Sequence, residues 1–160
     1  MLNNIGETLL FISFLAGLLG LYSYLVGIRK KSNLLVFIGT RSILAIFALL
    51  SISVLVLIYL LTTKDYSNAY VAKNISNDLS FIYSIAALWA GQEGSLLLWS
   101  WILSLYTLTI RFSKPFKSLL PSSESVSLFI LSFFIFLIVF VESPFDTLGT
   151  IPLNGRGLNP

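Results

Sequence analysis

The feature that most constrains this chain is a series of long apolar stretches that carry almost no charge. Residues 42–61, for example, include no acidic or basic side chain. A helix of about 20 such residues is long enough to cross the hydrocarbon core of a bilayer. Over the whole sequence only 11% of residues are charged and the mean hydropathy is +0.90, whereas soluble domains carry roughly 25% charged residues. The sequence therefore predicts a membrane protein.

Four stretches have the composition of membrane helices and together predict an all-α, polytopic membrane helix bundle. Their approximate bounds are 8–28, 42–61, 94–112 and 125–141, within a single membrane domain that covers residues 1–160. The third helix has an alternative start at Phe81, because Ser80 is a suitable N-cap residue. Gly91 and Gly94 would then mark a bend or a close contact in the middle of that helix.

The first predicted helix carries small residues at a spacing that favours close packing. Ser13, Gly17 and Gly20 occur along it, with Ala16 four residues before Gly20. Small residues four apart allow two membrane helices to approach closely. The alternative is that these glycines have no specific partner, because Gly is frequent in membrane helices.

The basic residues indicate the orientation of the helices. Seven of the ten lie between the first and second helices or between the third and fourth, so these connections are predicted to face the cytoplasm or matrix and both termini to be external. The seven are Arg29, Lys30, Lys31, Arg41, Arg111, Lys114 and Lys117. A cleaved signal peptide is not indicated, because Glu7 stands where a basic segment would precede the apolar core.

The residue types that the sequence lacks exclude several classes of chemistry. There is no Cys and no His. Disulfides, thiolate metal sites and thiol catalysis are therefore excluded, and so is the usual general base near neutral pH. Nucleic-acid binding is not predicted, because the basic residues lie in short connections rather than along one face.

Two polar segments are predicted to lie on the external side of the membrane. Residues 64–80 contain several Asn residues, and residues 142–160 contain Pro and Gly residues that prevent a long helix. The second segment finishes at Asn159 and Pro160 without a closing element. This pattern predicts an N-terminal fragment of a larger fold.

Residues 89–99, with the sequence Trp-Ala-Gly-Gln-Glu-Gly-Ser-Leu-Leu-Leu-Trp, are the strongest candidate for a functional site. An ionisable group beside hydrocarbon costs on the order of 3 kcal/mol and is rarely retained without a role. In a continuous helix, Glu93 would lie near the outer interface, about a turn above the apolar run 96–98. The competing interpretation is a generic interfacial aromatic belt with Glu93 among the headgroups. The candidate contact residues are Trp89, Gly91, Gln92, Glu93, Gly94, Ser95 and Trp99.

The same segment closely resembles the Trp-x-x-x-Glu-Gly-Ser-[Leu/Ile]-Leu-Leu-Trp signature of the CcmF family (CcmF/CcsA type). These are haem-handling membrane proteins of cytochrome c maturation. Four further matches occur in the order that the family shows. They are Ile5-Gly6-Glu7, Tyr70-Val71-Ala72, Ser143-Pro144-Phe145 and Gly155-Arg156-Gly157-Leu158-Asn159-Pro160. The resemblance covers the whole chain but only the N-terminal part of the family protein.

The resemblance implies a part in cytochrome c-type biogenesis, with haem delivery and covalent haem attachment to apocytochrome c. That reaction forms thioethers with a Cys-x-x-Cys-His motif and is called haem lyase activity. The implied cofactor is haem. The implied partners are a haem chaperone, apocytochrome c, membrane lipid, and the remainder of the family protein or a second chain of a split protein.

The departures from the family pattern are equally informative. The family's haem-ligand histidines and its tryptophan-rich segment have no counterpart in residues 1–160. No catalytic, haem-binding or metal-ligating residue is therefore predicted. A structural role is expected, and the question of whether the chain is an enzyme stays open. The expected location is the bacterial cytoplasmic membrane, with the mitochondrial inner membrane as the alternative because split family members occur in plant mitochondria.

Two other interpretations stay open at this point. A non-catalytic membrane scaffold or transporter subunit would use Glu93 as a proton or ion site. An orphaned gene fragment would not fold stably.

Overall fold

The computed structural model describes residues 1–110 and 119–157. Within these ranges every regular element is helical, so the predicted all-α fold is confirmed. The elements are α1 (Leu2–Lys30), α2 (Asn33–Thr63), α3 (Ala69–Asn74), α4 (Phe81–Ala86), a 3₁₀ helix (Ala87–Trp89), α5 (Gln92–Ile110) and α6 (Leu120–Phe140).

Three of the described helices, α1, α2 and α6, are long and apolar enough to cross a membrane. Helix α5 has 19 residues, which is long enough, but it is less apolar and is not among the described candidate membrane spans. Its first turn contains Gln92 and Glu93, and hydroxyl side chains recur along its length. The fourth predicted crossing therefore remains a prediction.

Helices α1 and α2 extend well beyond the apolar stretches that predicted them. The predicted bounds followed hydropathy, whereas backbone hydrogen bonding continues into the polar flanks. Arg29 and Lys30 form the last turn of α1, where positive charge is favourable beside the free carbonyl groups. Lys31 then closes the helix in the left-handed conformation at φ 51°. Arg41, assigned above to the connection, lies inside α2.

Close packing around the small residues of α1 is confirmed at two glycines. A methyl group at Gly17 would lie 2.5 Å from Ser132 Oγ on α6, and one at Gly20 would lie 2.8 Å from Ser42 Cβ on α2. Gly39 of α2 likewise leaves room for the buried ring of Tyr24 on α1. The helices of the bundle therefore meet at small residues, as membrane helices do.

Residues 64–80 and the tail, defined here as residues 141–157, pack together over one end of the bundle. The amide of Ala69 donates to Asp146 O at 2.8 Å, and the amide of Leu148 donates to Ser67 O at 2.9 Å. The ring of Phe145 is completely buried and lies against Gly6 of α1. The tail up to residue 157 is thus a packed part of the fold.

Buried amides join the three segments that meet at this end. Asn68 caps α3, because its Oδ1 accepts from the amide of Val71 at 2.8 Å. Its Nδ2 donates to Asn3 Oδ1 at 3.0 Å and to Pro144 O at 2.9 Å. The start of α1, the start of α3 and the tail therefore share one end of the bundle.

Two groups of sequence predictions fall outside the described residues. The first group is the predicted end of the third helix at residue 112, together with the basic residues Arg111, Lys114 and Lys117. The second group is the last three residues of the sequence, 158–160. The orientation predicted from the basic residues consequently remains an expectation.

Candidate functional site

The signature segment, defined as residues 89–99, does not form one continuous helix. Trp89 closes the 3₁₀ helix, and α5 begins only at Gln92. The continuous helix considered above for this segment is therefore interrupted between Trp89 and Gln92. A helix does start at Phe81, although the Ser80 side chain makes no cap hydrogen bond. The bend expected at Gly91 is present as this interruption between the two helical pieces.

Tyr70 of α3 stabilises the interruption. Its hydroxyl donates to Ala87 O at 2.7 Å and accepts from the Gly91 amide at 3.1 Å. The Gly91 amide lies at the break, outside both helical pieces, and the phenol oxygen is its acceptor, which satisfies a group that would otherwise cost free energy. Ala87 O also accepts from the Ala90 amide at 3.1 Å, so the phenol is a second donor to that carbonyl group. Burial raises the pKa of Tyr70 to about 12, and the nearby Glu93 carboxylate acts in the same direction.

Two glycines of the signature segment make this contact possible. A methyl group at Gly91 would lie 2.8 Å from Tyr70 Cε2. A methyl group at Gly94 would overlap the carbonyl oxygen of Leu88 and the hydroxyl oxygen of Tyr70, and would lie 2.7 Å from Tyr70 Cζ. Neither glycine has a positive φ angle. Close approach, and not backbone conformation, is what requires glycine at these two positions.

Glu93 is paired with a lysine from α3. Lys73 Nζ lies 3.0 Å from Glu93 Oε1, and the Glu93 side chain is only 12% exposed. The second carboxylate oxygen, Oε2, is buried without a hydrogen-bond partner among the described residues. The partner of Glu93, which the sequence left open, is therefore Lys73.

The remaining signature residues divide between the interior and the surface. Ser95 Oγ donates to Trp89 O at 3.1 Å across the break. Trp89 and Trp99 are 58% and 63% exposed, and Gln92 is exposed as well. Trp101, by contrast, packs inward, where its Nε1 donates to Ser51 Oγ at 2.9 Å. The structure thus gives the signature segment a face that residues 1–110 and 119–157 leave uncovered.

The other four family motifs meet at the same end of the bundle, as far as residue 157, where the described residues end. Gly6 contacts Phe145, and Tyr70 contacts the signature segment. Gly155 lies against the carbonyl groups of Ala72 and Ile75. Matches that are far apart in sequence therefore belong to one structural unit.

A second polar cluster was missed by the sequence analysis. Glu124 of α6 is buried, and the hydroxyl of Tyr24 on α1 donates to its Oε2. Tyr24 Oη also lies 3.0 Å from Thr40 Oγ1 on α2. The available signal was the lone carboxylate that begins the apolar stretch after Pro121. The cluster joins three helices at the end of the bundle opposite to Tyr70.

The described residues do not form a metal or haem site of a familiar kind. No group of three or more His, Cys, Asp or Glu side chains that could hold a metal ion occurs within residues 1–110 and 119–157. The sequence contains neither His nor Cys, and its only Met is Met1, which is 98% exposed. Haem iron is normally held by His, Cys, Met or Tyr, and of these donors the sequence contains Met1 and seven tyrosines.

Apolar helices joined by a packed polar end layer define the class of the molecule as a helical membrane protein. Comparison with known proteins gives its relatives. No protein-family model matches the chain. The cytochrome c-type biogenesis protein CcmF of Haemophilus influenzae is 29% identical over 100% of this chain and 25% of that protein. The probable cytochrome c-type biogenesis protein NrfE of Escherichia coli K12 is 32% identical over 84% of this chain and 25% of that protein.

A solved structure gives the same result. The structure of cytochrome c haem lyase CcmF matches with a TM-score of 0.85 and 27% identity, over 94% of this chain and 26% of that one. The chain is therefore related to the CcmF-type cytochrome c biogenesis proteins and corresponds to their N-terminal part. It spans about 25% of the length of the first of these relatives.

Proposed function

We propose that this chain is the N-terminal membrane portion of a protein that delivers haem and attaches it covalently to apocytochrome c, and that its own role is structural. The observation that carries the proposal is the match to cytochrome c haem lyase CcmF over 94% of the chain. The meeting of Gly6, Tyr70 and Phe145 at one end of the bundle supports it, because the family motifs then form one packed unit.

The proposed role is structural because the sequence contains no His or Cys, which are common haem ligands. Its two fully buried tyrosines, Tyr24 and Tyr70, use their hydroxyl groups in hydrogen bonds to other parts of the fold. We assign haem ligation to the remainder of the family protein or to a second chain. The haem chaperone and apocytochrome c are proposed as partners of the complete assembly.

The proposed contact surface for the remainder is the uncovered face of the signature segment. Gln92, Trp99 and Tyr106 are exposed and follow each other at intervals of seven residues, which places them on one side of α5. Their side chains end in an amide, an indole N–H and a phenol. Lipid tails offer no partner for such groups, whereas a second protein surface does. Trp89, which lies before the break, is exposed as well.

The proposed topology follows from the packing and the basic residues together. Helix α5 packs against α2 and α6, both of which are candidate membrane spans, so we propose that α5 crosses the membrane beside them as a fourth span. The end that carries α3 and the tail is proposed to be external. The opposite end of the bundle, where the basic residues lie, is proposed to face the cytoplasm. The proposed location is the bacterial cytoplasmic membrane, and the alternative is the mitochondrial inner membrane.

The geometry of Glu93 does not favour the transporter alternative. A proton or ion site of that kind requires a carboxylate within the membrane path. Glu93 instead lies at the start of α5 beside Lys73 of the end layer, where the lysine compensates its charge.

A chimaera tests the proposed function directly. The corresponding N-terminal part of Escherichia coli CcmF is replaced by this chain, and covalent haem on a c-type cytochrome is measured in a strain that lacks CcmF. The proposal predicts haem attachment well above the deletion strain. Absence of attachment, at a membrane abundance equal to that of native CcmF, would contradict it.

A further inference from the structure

A cleft of about 470 Å³ opens between α3 and the tail. Leu148 and Pro152 contribute apolar walls, and Lys73 and Arg156 contribute positive charge. No carboxylate is among the described residues that line the cleft. The combination of apolar walls with cationic and hydrogen-bonding groups is typical of sites for small amphipathic ligands.

The tail is held firmly enough to fix the position of Arg156 relative to α3. The amide of Arg156 donates to Ala72 O at 2.9 Å, and the amide of Gly157 donates to Ile75 O at 3.2 Å. A methyl group at Gly155 would lie 2.8 Å from Ala72 O, so the glycine lets the tail lie flat on α3. Arg156 is therefore anchored next to the residue that precedes Lys73.

The charge balance leaves the cleft with an unused cation. Lys73 is neutralised by Glu93 at 3.0 Å, whereas Arg156 forms no ion pair within residues 1–110 and 119–157. Asn154 Oδ1 already accepts from the amide of Asn77 at 2.8 Å, so its amide nitrogen is the group left to donate. Thr150 lies in the same wall.

We propose that this cleft binds an oxyanion carried on an apolar body, with the Arg156 guanidinium as its main contact. A guanidinium offers a planar pair of N–H donors that matches a carboxylate or phosphate group. Leu148 and Pro152 cover the apolar part of the ligand. The inference rests on the cleft itself and does not depend on the function proposed above.

The test uses the chain in nanodiscs of phosphatidylcholine, with 4-phenylbutanoate as the probe and its binding measured by saturation-transfer NMR. Arg156→Gln is expected to weaken binding about tenfold, the effect of losing one hydrogen bond to a charged group. Glu93→Gln frees Lys73 and is expected to tighten binding. Arg29→Gln, an exposed arginine at the other end of the bundle, is the matched control and is expected to change nothing.

Further arms distinguish the source of the oxyanion. The uncharged analogue 4-phenylbutanol is expected to bind much more weakly than the carboxylate. Loss of probe binding in nanodiscs that contain phosphatidylglycerol would identify a lipid phosphate as the occupant, and retained binding would identify a soluble carboxylate. Equal binding by wild type and Arg156→Gln, or equal binding of the alcohol, would overturn the proposal. Arg156→Lys keeps the charge but loses the planar pair of N–H donors, so its binding is expected to lie between that of wild type and that of Arg156→Gln, which guards against misfolding as the cause of lost binding.

Discussion

The substitution Gly94→Ala tests the packing of the signature segment most sharply. The added methyl group would overlap Leu88 O and Tyr70 Oη. Relieving that overlap requires the Tyr70 ring to move, and its hydroxyl now holds Ala87 O at 2.7 Å and the Gly91 amide at 3.1 Å. The helix break would then lose its main support.

The expected change in the free energy of unfolding follows from two costs and one gain. Overpacking in a filled site costs typically 1–3 kcal/mol. Each lost hydrogen bond costs about 1 kcal/mol. Alanine in a helix is favoured over glycine by about 1 kcal/mol, which acts in the opposite direction. Because the two costs exceed the gain, we expect Gly94→Ala to lower the free energy of unfolding by about 1–4 kcal/mol.

The measurement is reversible unfolding of the purified chain in mixed micelles. Gly149→Ala is the matched control, because nothing lies within 4 Å of the methyl group that it adds. In a Tyr70→Phe background one of the two obstructing oxygens is gone, so the cost of Gly94→Ala should fall, with a coupling of roughly 0.5–3 kcal/mol. A Gly94→Ala protein as stable as the Gly149→Ala protein would refute this account of the break.

Three further predictions follow from the same structure. Burial raises the pKa of Tyr70 from 10.0 to about 12, so the folded state holds the phenol proton more tightly than the unfolded state. The stability that this contributes is complete below pH 10 and is lost between about pH 10 and 12. Tyr70→Phe should abolish this pH dependence of the free energy of unfolding. Asn68→Ala should lower the free energy of unfolding by roughly 2–4 kcal/mol, since it removes a helix cap and leaves buried partners unsatisfied. A smaller loss of stability than in the exposed control Asn77→Ala would contradict the role of the buried amide. Single cysteines at Ser32 and Ser76 should react differently with an impermeant thiol reagent in intact cells, with labelling at Ser76 and none at Ser32; the reverse pattern would overturn the orientation.

The apolar pattern and the motifs were sufficient to predict the helical class and the signature segment. Long uncharged stretches specify membrane helices because the bilayer imposes a length and excludes charge. The glycines of α1 indicated close packing for the same kind of reason, since only small residues permit it. Helix ends were predicted less well, because caps such as Lys31 and the favourable basic last turn of α1 lie outside the apolar pattern.

The contacts that shape the candidate site depend on tertiary structure. The break before α5 exists because the hydroxyl of Tyr70 reaches backbone groups 17 residues away in sequence. The Lys73–Glu93 pair spans 20 residues and two helices. The contact between Tyr24 and Glu124 spans 100 residues. Local periodicity contains no information about such pairs, so the sequence identified Glu93 as important without identifying its partner.

The central claim is that the signature segment contacts the haem-bearing remainder of a cytochrome c biogenesis protein. The most direct measurement is covalent haem attachment by the CcmF chimaera carrying Trp89→Phe or Trp99→Phe, two substitutions at exposed positions, with membrane abundance measured in parallel. Both substitutions keep an aromatic ring and remove the indole N–H, so a generic aromatic belt would tolerate them. A packed polar contact would not, because an unsatisfied buried partner costs roughly 1–3 kcal/mol. Reduced haem attachment at unchanged abundance is the predicted result, and normal attachment by both variants at normal abundance would contradict the claim.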